Sequence, residues 1–142
     1  MIPIVIDTNV FVAAMRTNDR TGSASRAVLR AALDGKFVPI FGNALWLEYE
    51  DLLGRPVWTQ STSPDERLAV MKALAAVGRW VSIYYGWRPN LPDEKDNFLI
   101  ELAVAGNARA IVTHNVKDLQ RGQLVWPDLH ILTPADFMEE FL

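Results

Sequence analysis

The chain opens on a run of apolar, mostly β-branched positions, Ile2-Pro3-Ile4-Val5-Ile6, that stops abruptly at Asp7-Thr8-Asn9. An unbroken apolar run of this length, without polar alternation, predicts a strand covered on both faces, as in a parallel sheet. Val10 to Met15 then begins a helix. Small and polar residues from Arg16 to Gly22 predict a loop, and Ser25 to Leu33 a second helix that Gly35 closes. Phe37 to Ile40 predicts a short strand with an irregular end at Pro39. Asn43 is the expected cap of a helix reaching about Leu53, and Arg55 to Ser63 a loop. Ser63-Pro64-Asp65-Glu66 predicts a capped start for a helix that runs to Gly78. Beyond it the pattern predicts a strand over Trp80 to Tyr85, a loop over Gly86 to Pro92 and a helix over Asp96 to Ala105. Strands follow at Ala108 to Thr113 and His130 to Leu132, and Pro134 opens a last helix to Phe141. Strands alternating with helices imply an α/β fold: a central, mostly parallel sheet of four to five strands flanked by helices. In such sheets the working groups gather at the carboxyl ends of the strands.

Composition narrows the chemistry. With 142 residues, half of them hydrophobic, the chain is expected to form one domain over residues 1–142. It has no cysteine and two histidines, His114 and His130, which excludes disulfides, thiol nucleophiles and a dedicated zinc site. Any metal would be held by oxygen. A net charge of -3 with 22% charged residues excludes both a disordered acidic segment and a strongly basic nucleic-acid binder. The N-terminal apolar runs are split by Asp7-Thr8-Asn9, too short for a membrane span and lacking a signal-peptide charge pattern, so a soluble, cytoplasmic protein is expected.

The carboxylates are the candidate chemistry. Asp7 falls directly after the first strand, at the sheet's carboxyl edge, although helix capping explains an aspartate there equally well. Asp93 and Asp96 precede or open an apolar helix, where the backbone N–H groups favour negative charge, and one cap does not account for both. On the helix after the second strand, Leu45, Tyr49, Leu52 and Leu53 form the buried stripe. Asp51 lies opposite it, and Glu48 and Glu50 flank it without periodicity deciding between them. Thr113, Asn115 and Asp118 follow the late strand at the same edge. His114 stands among them with no orienting partner visible in the sequence, so a surface or capping role is the simpler account. Carboxylates brought together repel one another unless a cation lies between them, and hard divalent ions of the Mg²⁺ or Mn²⁺ type suit all-oxygen sites that hydrolyse phosphodiesters.

The segments Ile4-Val5-Ile6-Asp7-Thr8-Asn9-Val10, Leu47-Glu48-Tyr49, Asp93 to Ala103, Ile111-Val112-Thr113 and Ile131 to Phe137 together carry a pattern that resembles the PIN-domain family of metal-dependent ribonucleases. The likeness is greatest to the toxin components of bacterial toxin–antitoxin modules. It implies that Asp7, Glu48 and Asp96 bind metal, that Thr8 helps orient them, and that Glu48 rather than Glu50 is the functional glutamate. Asn9, Asp93 and Thr113 are expected to support the site. Where the family commonly has a fourth acid, two residues after the threonine of the late strand, this chain has Asn115, an amide that ligates without adding charge; Asp118 is the candidate substitute. The resemblance further implies an RNA substrate, a small antitoxin partner and a homodimer. Arg16, Arg20, Arg26 and Arg30 are candidates to meet RNA phosphates, against a plain solvated basic face. Trp58, Trp87 and Trp126 sit in expected loops, available for stacking on bases or for packing. The alternative function is a catalytically degenerate PIN fold that binds RNA or protein without cleaving, favoured by Asn115 and the negative net charge.

Overall fold

The computed structural model describes residues 1–16, 22–58, 62–83, 94–120 and 128–142, with the backbone alone for residues 94–96. The elements run β1 (Ile2–Ile6), α1 (Thr8–Met15), α2 (Gly22–Leu33), β2 (Phe37–Phe41), α3 (Asn43–Leu53), α4 (Pro64–Val77), β3 (Arg79–Trp80), α5 (Glu94–Ala105), β4 (Ala110–Val112), α6 (Val116–Gln120), β5 (His130–Leu132) and α7 (Pro134–Phe141). Five parallel strands form one sheet in the order β3-β2-β1-β4-β5.

The first strand lies at the centre of this sheet, between β2 and β4. Ile4 stands opposite Pro39 on one side and Ala110 on the other, and Ile6 opposite Val112. Ile4, Val5, Ile40 and Ile111 are fully buried, as two-sided burial of a parallel sheet requires. Helix α5 lies against β1, β2 and β4, while α1, α2 and α7 contact one another in sequence, α1 to α2 and α2 to α7. An aromatic chain knits the sheet to α3: Phe11 and Phe41 stand 5.4 and 5.7 Å from Tyr49, and Phe41 also meets Trp46 and Trp80. Rings at these separations contribute edge-to-face attraction beyond their buried area.

Local chemistry sets the ends of elements. Ser63 caps α4 by accepting from the Glu66 N–H at 3.1 Å, and Thr133 caps α7 through Asp136. Gly35, at φ +83°, makes the left-handed turn after α2 that a side chain would strain.

Several expectations shift. The cap of α3 is Gly42 and not Asn43, and no side chain bonds the first N–H groups of that helix. Helix α2 starts at Gly22, before Ser25, and α5 starts at Glu94, before Asp96. The strand expected at Trp80 to Tyr85 is instead the pair Arg79–Trp80; Val81 adds a single hydrogen bond to the Phe41 carbonyl, residues 81–83 are not strand, and residues 84–93 lie outside the described residues. The late strand is shorter than expected, Ala110–Val112, although the Thr113 N–H still bonds the Leu132 carbonyl before its side chain turns into the crevice. Pro39 is not an irregular end but the middle of β2. It is tolerated because β3 pairs only with Ile40 and Phe41, so β2 is locally an edge strand where its missing N–H falls. Trp58 is half-buried and not displayed: its indole N–H donates to the Leu52 carbonyl at 3.0 Å, and its ring lies 5.9 Å from Phe11, under the Arg67 guanidinium.

Leu74, fully buried on α4, should cost about 2–5 kcal/mol when cut to alanine, against about 1 kcal/mol for loss of the α4 cap in Ser63→Ala. Urea unfolding of both variants checks this; equal losses would mean that α4 does not pack as described.

Candidate active site at the carboxyl edge of the sheet

Strand β1 ends with its Asp7 N–H donating to the Val112 carbonyl, and β4 continues with the Thr113 N–H donating to the Leu132 carbonyl. The sheet ladder therefore delivers Asp7 and Thr113 side by side at the same edge. Asp7 is buried and serves as the N-cap of α1, its Oδ1 accepting from the Thr8 N–H at 2.7 Å. The Thr8 hydroxyl makes a longer contact to the same oxygen, 3.4 Å. The other oxygen, Oδ2, accepts from the Thr113 hydroxyl at 2.8 Å and from the Asn9 amide at 3.2 Å. Asn9 in turn accepts from the His114 N–H, and the Asn115 N–H donates to the Thr113 hydroxyl oxygen at 3.0 Å. Capping and site geometry are thus one arrangement: the carboxylate that starts α1 is also fixed across to β4.

Burial is the largest influence on the Asp7 carboxyl and pushes its pKa above the ordinary 3.8; the hydrogen bonds from Thr113 and Thr8 and the proximity of His114 oppose it. No lysine or arginine pairs with Asp7 among the described residues. From α3, Tyr49 reaches under β1 and donates its hydroxyl to the Ile6 carbonyl at 2.8 Å. Its phenol is held well above its usual range by burial, then by the negative charges of Asp7 and Glu48. Glu48 lies one residue before Tyr49 on α3. Glu48 is half-buried, whereas Glu50 and Asp51 are exposed, Asp51 in an ion pair with Arg55. Burial separates the two glutamates that helical periodicity left undecided.

The remaining candidates divide. Asn115 and Asp118 are exposed on the β4 side of the edge, Asp118 within α6. The backbone of Asp96 lies in the first turn of α5, and its side chain and all of Asp93 lie outside the described residues. Among the described residues no group of three metal-capable side chains assembles. His114 has the partner that the sequence did not display: the Ser25 hydroxyl, on α2, lies 3.1 Å from its Nε2. Arg16 is spent on structure, donating to the Val57 carbonyl, and Arg26 is half-buried with Nη1 sealed from solvent and, among the described residues, without a hydrogen bond. Arg30 is exposed; Arg20, Trp87 and Trp126 lie outside the described residues.

Sequence reasoning missed two buried polar residues of α5, Asn97 and Glu101, 4% and 7% exposed. The available signal was a glutamate set inside the apolar run Phe98 to Ala105, one turn after an asparagine. It also missed the Tyr49 hydroxyl, which was counted only as part of an apolar stripe.

This is an α/β protein with a buried, hydrogen-bonded carboxylate, Asp7, at the carboxyl edge of a parallel sheet, at the end of its central strand. The family profile described as PIN domain matches residues 3–117, and the chain belongs to the PIN-domain family. Seven chains of solved structures match it. One is a chain of VapBC2 from Rickettsia felis, solved bound to a DNA fragment from their promoter; it is 15% identical, covers 92% of this chain and 97% of its own length, and superposes with a TM-score of 0.60. That likeness is one of fold. No curated protein matches the chain significantly.

Asp7 generates a pH prediction. Between its ordinary value and its raised folded value the folded chain binds more protons than the unfolded one, so its contribution to stability falls as pH rises through that window and returns on acidification. Melting temperatures of the parent and Asp7→Asn, in chelator from pH 7 to pH 4, should show the parent gaining on the variant as pH drops; a constant difference contradicts the burial argument. Thr113→Val removes a hydrogen bond to a buried carboxylate and should cost about 1.5–3 kcal/mol at pH 7 in urea unfolding.

Proposed function

We propose that this protein is a divalent-metal-dependent endoribonuclease that hydrolyses RNA phosphodiester bonds and acts as the toxin of a toxin–antitoxin module. The observation that carries the reading is the buried, hydrogen-bonded Asp7 carboxylate, without a lysine or arginine partner among the described residues, in a chain of the PIN-domain family. A buried carboxylate with no cationic side chain at hand suits an added hard cation, and every candidate donor here is an oxygen. Asp7, Glu48 and Asp96 would hold Mg²⁺ or Mn²⁺, with Asn115 and Asp118 as further donors. The bound ion would supply an activated water and neutralise charge developing on the phosphate.

The chain's own residues do the positioning. Thr113 and Asn9 restrain Oδ2 of Asp7, so the carboxylate cannot swing away from the edge. On Oδ1 the 3.4 Å Thr8 hydroxyl contact is the weakest of four and the easiest for an ion to replace. Tyr49 ties α3, the helix that carries Glu48, to the end of β1. Asp93 belongs to the same reading as a supporting acid. So do a small antitoxin protein and a homodimer as partners, in the cytoplasm; the fold likeness to VapBC2 agrees with the toxin assignment. Among the described residues no helix is long and apolar enough to cross a membrane.

Asn115 supports the second reading, a PIN fold that binds without cleaving, since it removes one charge from the usual set. One experiment separates the two. The parent should cleave single-stranded RNA with Mn²⁺ or Mg²⁺ and stop in chelator. Asp7→Asn, Glu48→Gln and Asp96→Asn should each lose more than about 100-fold in rate while keeping a cooperative melt, because even changes behind the ligands of a metal site cost 10–100-fold. Mn²⁺ should also raise the parent's melting temperature more than that of Asp96→Asn. Cleavage by Asp7→Asn at the parent's rate would refute the site; no cleavage by the parent, with metal bound, would favour the binding module.

A further inference from the structure

Next to the carboxylate edge, over the ends of β2 and β3, lies a second concavity of about 650 Å³ that the ribonuclease reading does not use. Its walls include Trp80, Phe98, Leu102 and Val81, and its floor carries Glu101. Glu101 is 93% buried by its 7% exposure, and among the described residues no hydrogen bond or ion pair reaches its carboxylate. A carboxylate so placed is costly unless something donates to it. The same cavity is lined by the start of α3, Gly42 to Leu45, a helix whose N-cap, Gly42, makes no side-chain hydrogen bond. Gly42 allows this approach: a methyl there would sit 3.0 Å from Leu102 Cδ1 and 3.2 Å from the Val81 carbonyl.

The cavity lining therefore combines a carboxylate acceptor pair, backbone donors and apolar side chains, with Trp80 half exposed. We propose that it is a nucleobase pocket selective for guanine in single-stranded RNA, which rests on the ribonuclease reading for its substrate and extends it to base preference. Guanine alone among the four bases carries two adjacent N–H donors, N1–H and the 2-amino group, to match both carboxylate oxygens, with the O6 acceptor beside them for the α3 N–H groups. Adenine and cytosine present one amino group and leave one carboxylate oxygen unpaired, and uracil presents one N–H flanked by acceptors. Aromatic walls are what an unstacked base needs. An arginine side chain also has paired donors, but it has no acceptor for the helix start and its charge opposes the positive end of α3. Strands are 4.7–4.9 Å apart, so the cavity over β2 and β3 lies roughly 5–10 Å from the end of β1, the reach of a neighbouring nucleotide.

The test uses the full chain in chelator, where RNA is bound without metal-dependent cleavage. Fluorescence anisotropy with labelled five-nucleotide RNAs differing at the central base should give guanine about tenfold tighter binding than adenine, cytosine or uracil, the discrimination of one bidentate pair. Inosine, which lacks the 2-amino group, should bind more weakly than guanine on the unaltered protein, so this arm needs no variant. Glu101→Gln should bring guanine to within about twofold of uracil, and Trp80→Ala should weaken all the RNAs. Equal binding of the four bases, inosine equal to guanine, or guanine preference that survives Glu101→Gln would overturn the proposal. So would an arginine-containing peptide that competes through Glu101 more strongly than any of the RNAs. A parallel cleavage assay with Mn²⁺ keeps the two readings apart: guanine preference without cleavage leaves the pocket and removes the nuclease, and cleavage without guanine preference does the reverse.

Discussion

Everything at the carboxyl edge depends on one hydrogen bond, from the Thr113 hydroxyl to the buried carboxylate of Asp7. It joins the ends of β1 and β4, which are adjacent in the sheet and 106 residues apart in the chain. A carboxylate at the end of an apolar strand would otherwise face burial without compensation or rotate to solvent. Here each oxygen receives two contacts, which hold the group inside and oriented and partly offset the cost that burial puts on its negative charge. The carboxylate is therefore more than a helix cap: it is fixed in direction from two strands at once.

The surroundings are built to keep this geometry rigid. Tyr49 fastens α3 to the Ile6 carbonyl one residue before Asp7, and its ring is gripped by Phe11 and Phe41. Arg67, buried under its own helix, donates to the Thr62 carbonyl and hydroxyl and lies over Trp58, while Thr62 bonds the Met15 carbonyl at the end of α1. Buried cations used in this way hold chain segments together and are not available for phosphate. Of the arginines near Asp7 in sequence, Arg16 is used in the same structural way, whereas Arg30 is exposed.

The sheet was legible because parallel strands advertise themselves as unbroken apolar runs: β1, β2 and β5 stand within a residue of where hydrophobicity puts them. Helix starts were legible where a side chain makes the cap, as at Asp7, Ser63 and Thr133, and were missed where the backbone does without one, as at Gly42. Strand β3 was misjudged because Trp80 to Tyr85 has β-type residues, but only Ile40 and Phe41 are available to pair with it. Asp7 and Thr113 could be placed at one edge from topology alone. Glu101 was harder to place: its only trace is a glutamate interrupting the apolar run Phe98 to Ala105, with no periodicity to say which way it faces, and burial then shows it inside.

Pro39 has a consequence beyond the shape of β2. A two-residue β3 leaves the outer side of Phe37, Val38 and Pro39 without a partner strand, in one of the most apolar stretches of the molecule. Such open edges recruit strands from other molecules, and the usual natural defence is a residue that cannot continue the ladder. Proline supplies that defence at the point where β3 stops short. The residue that looked like a flaw in a strand leaves no N–H at that point for a strand of another molecule to bond.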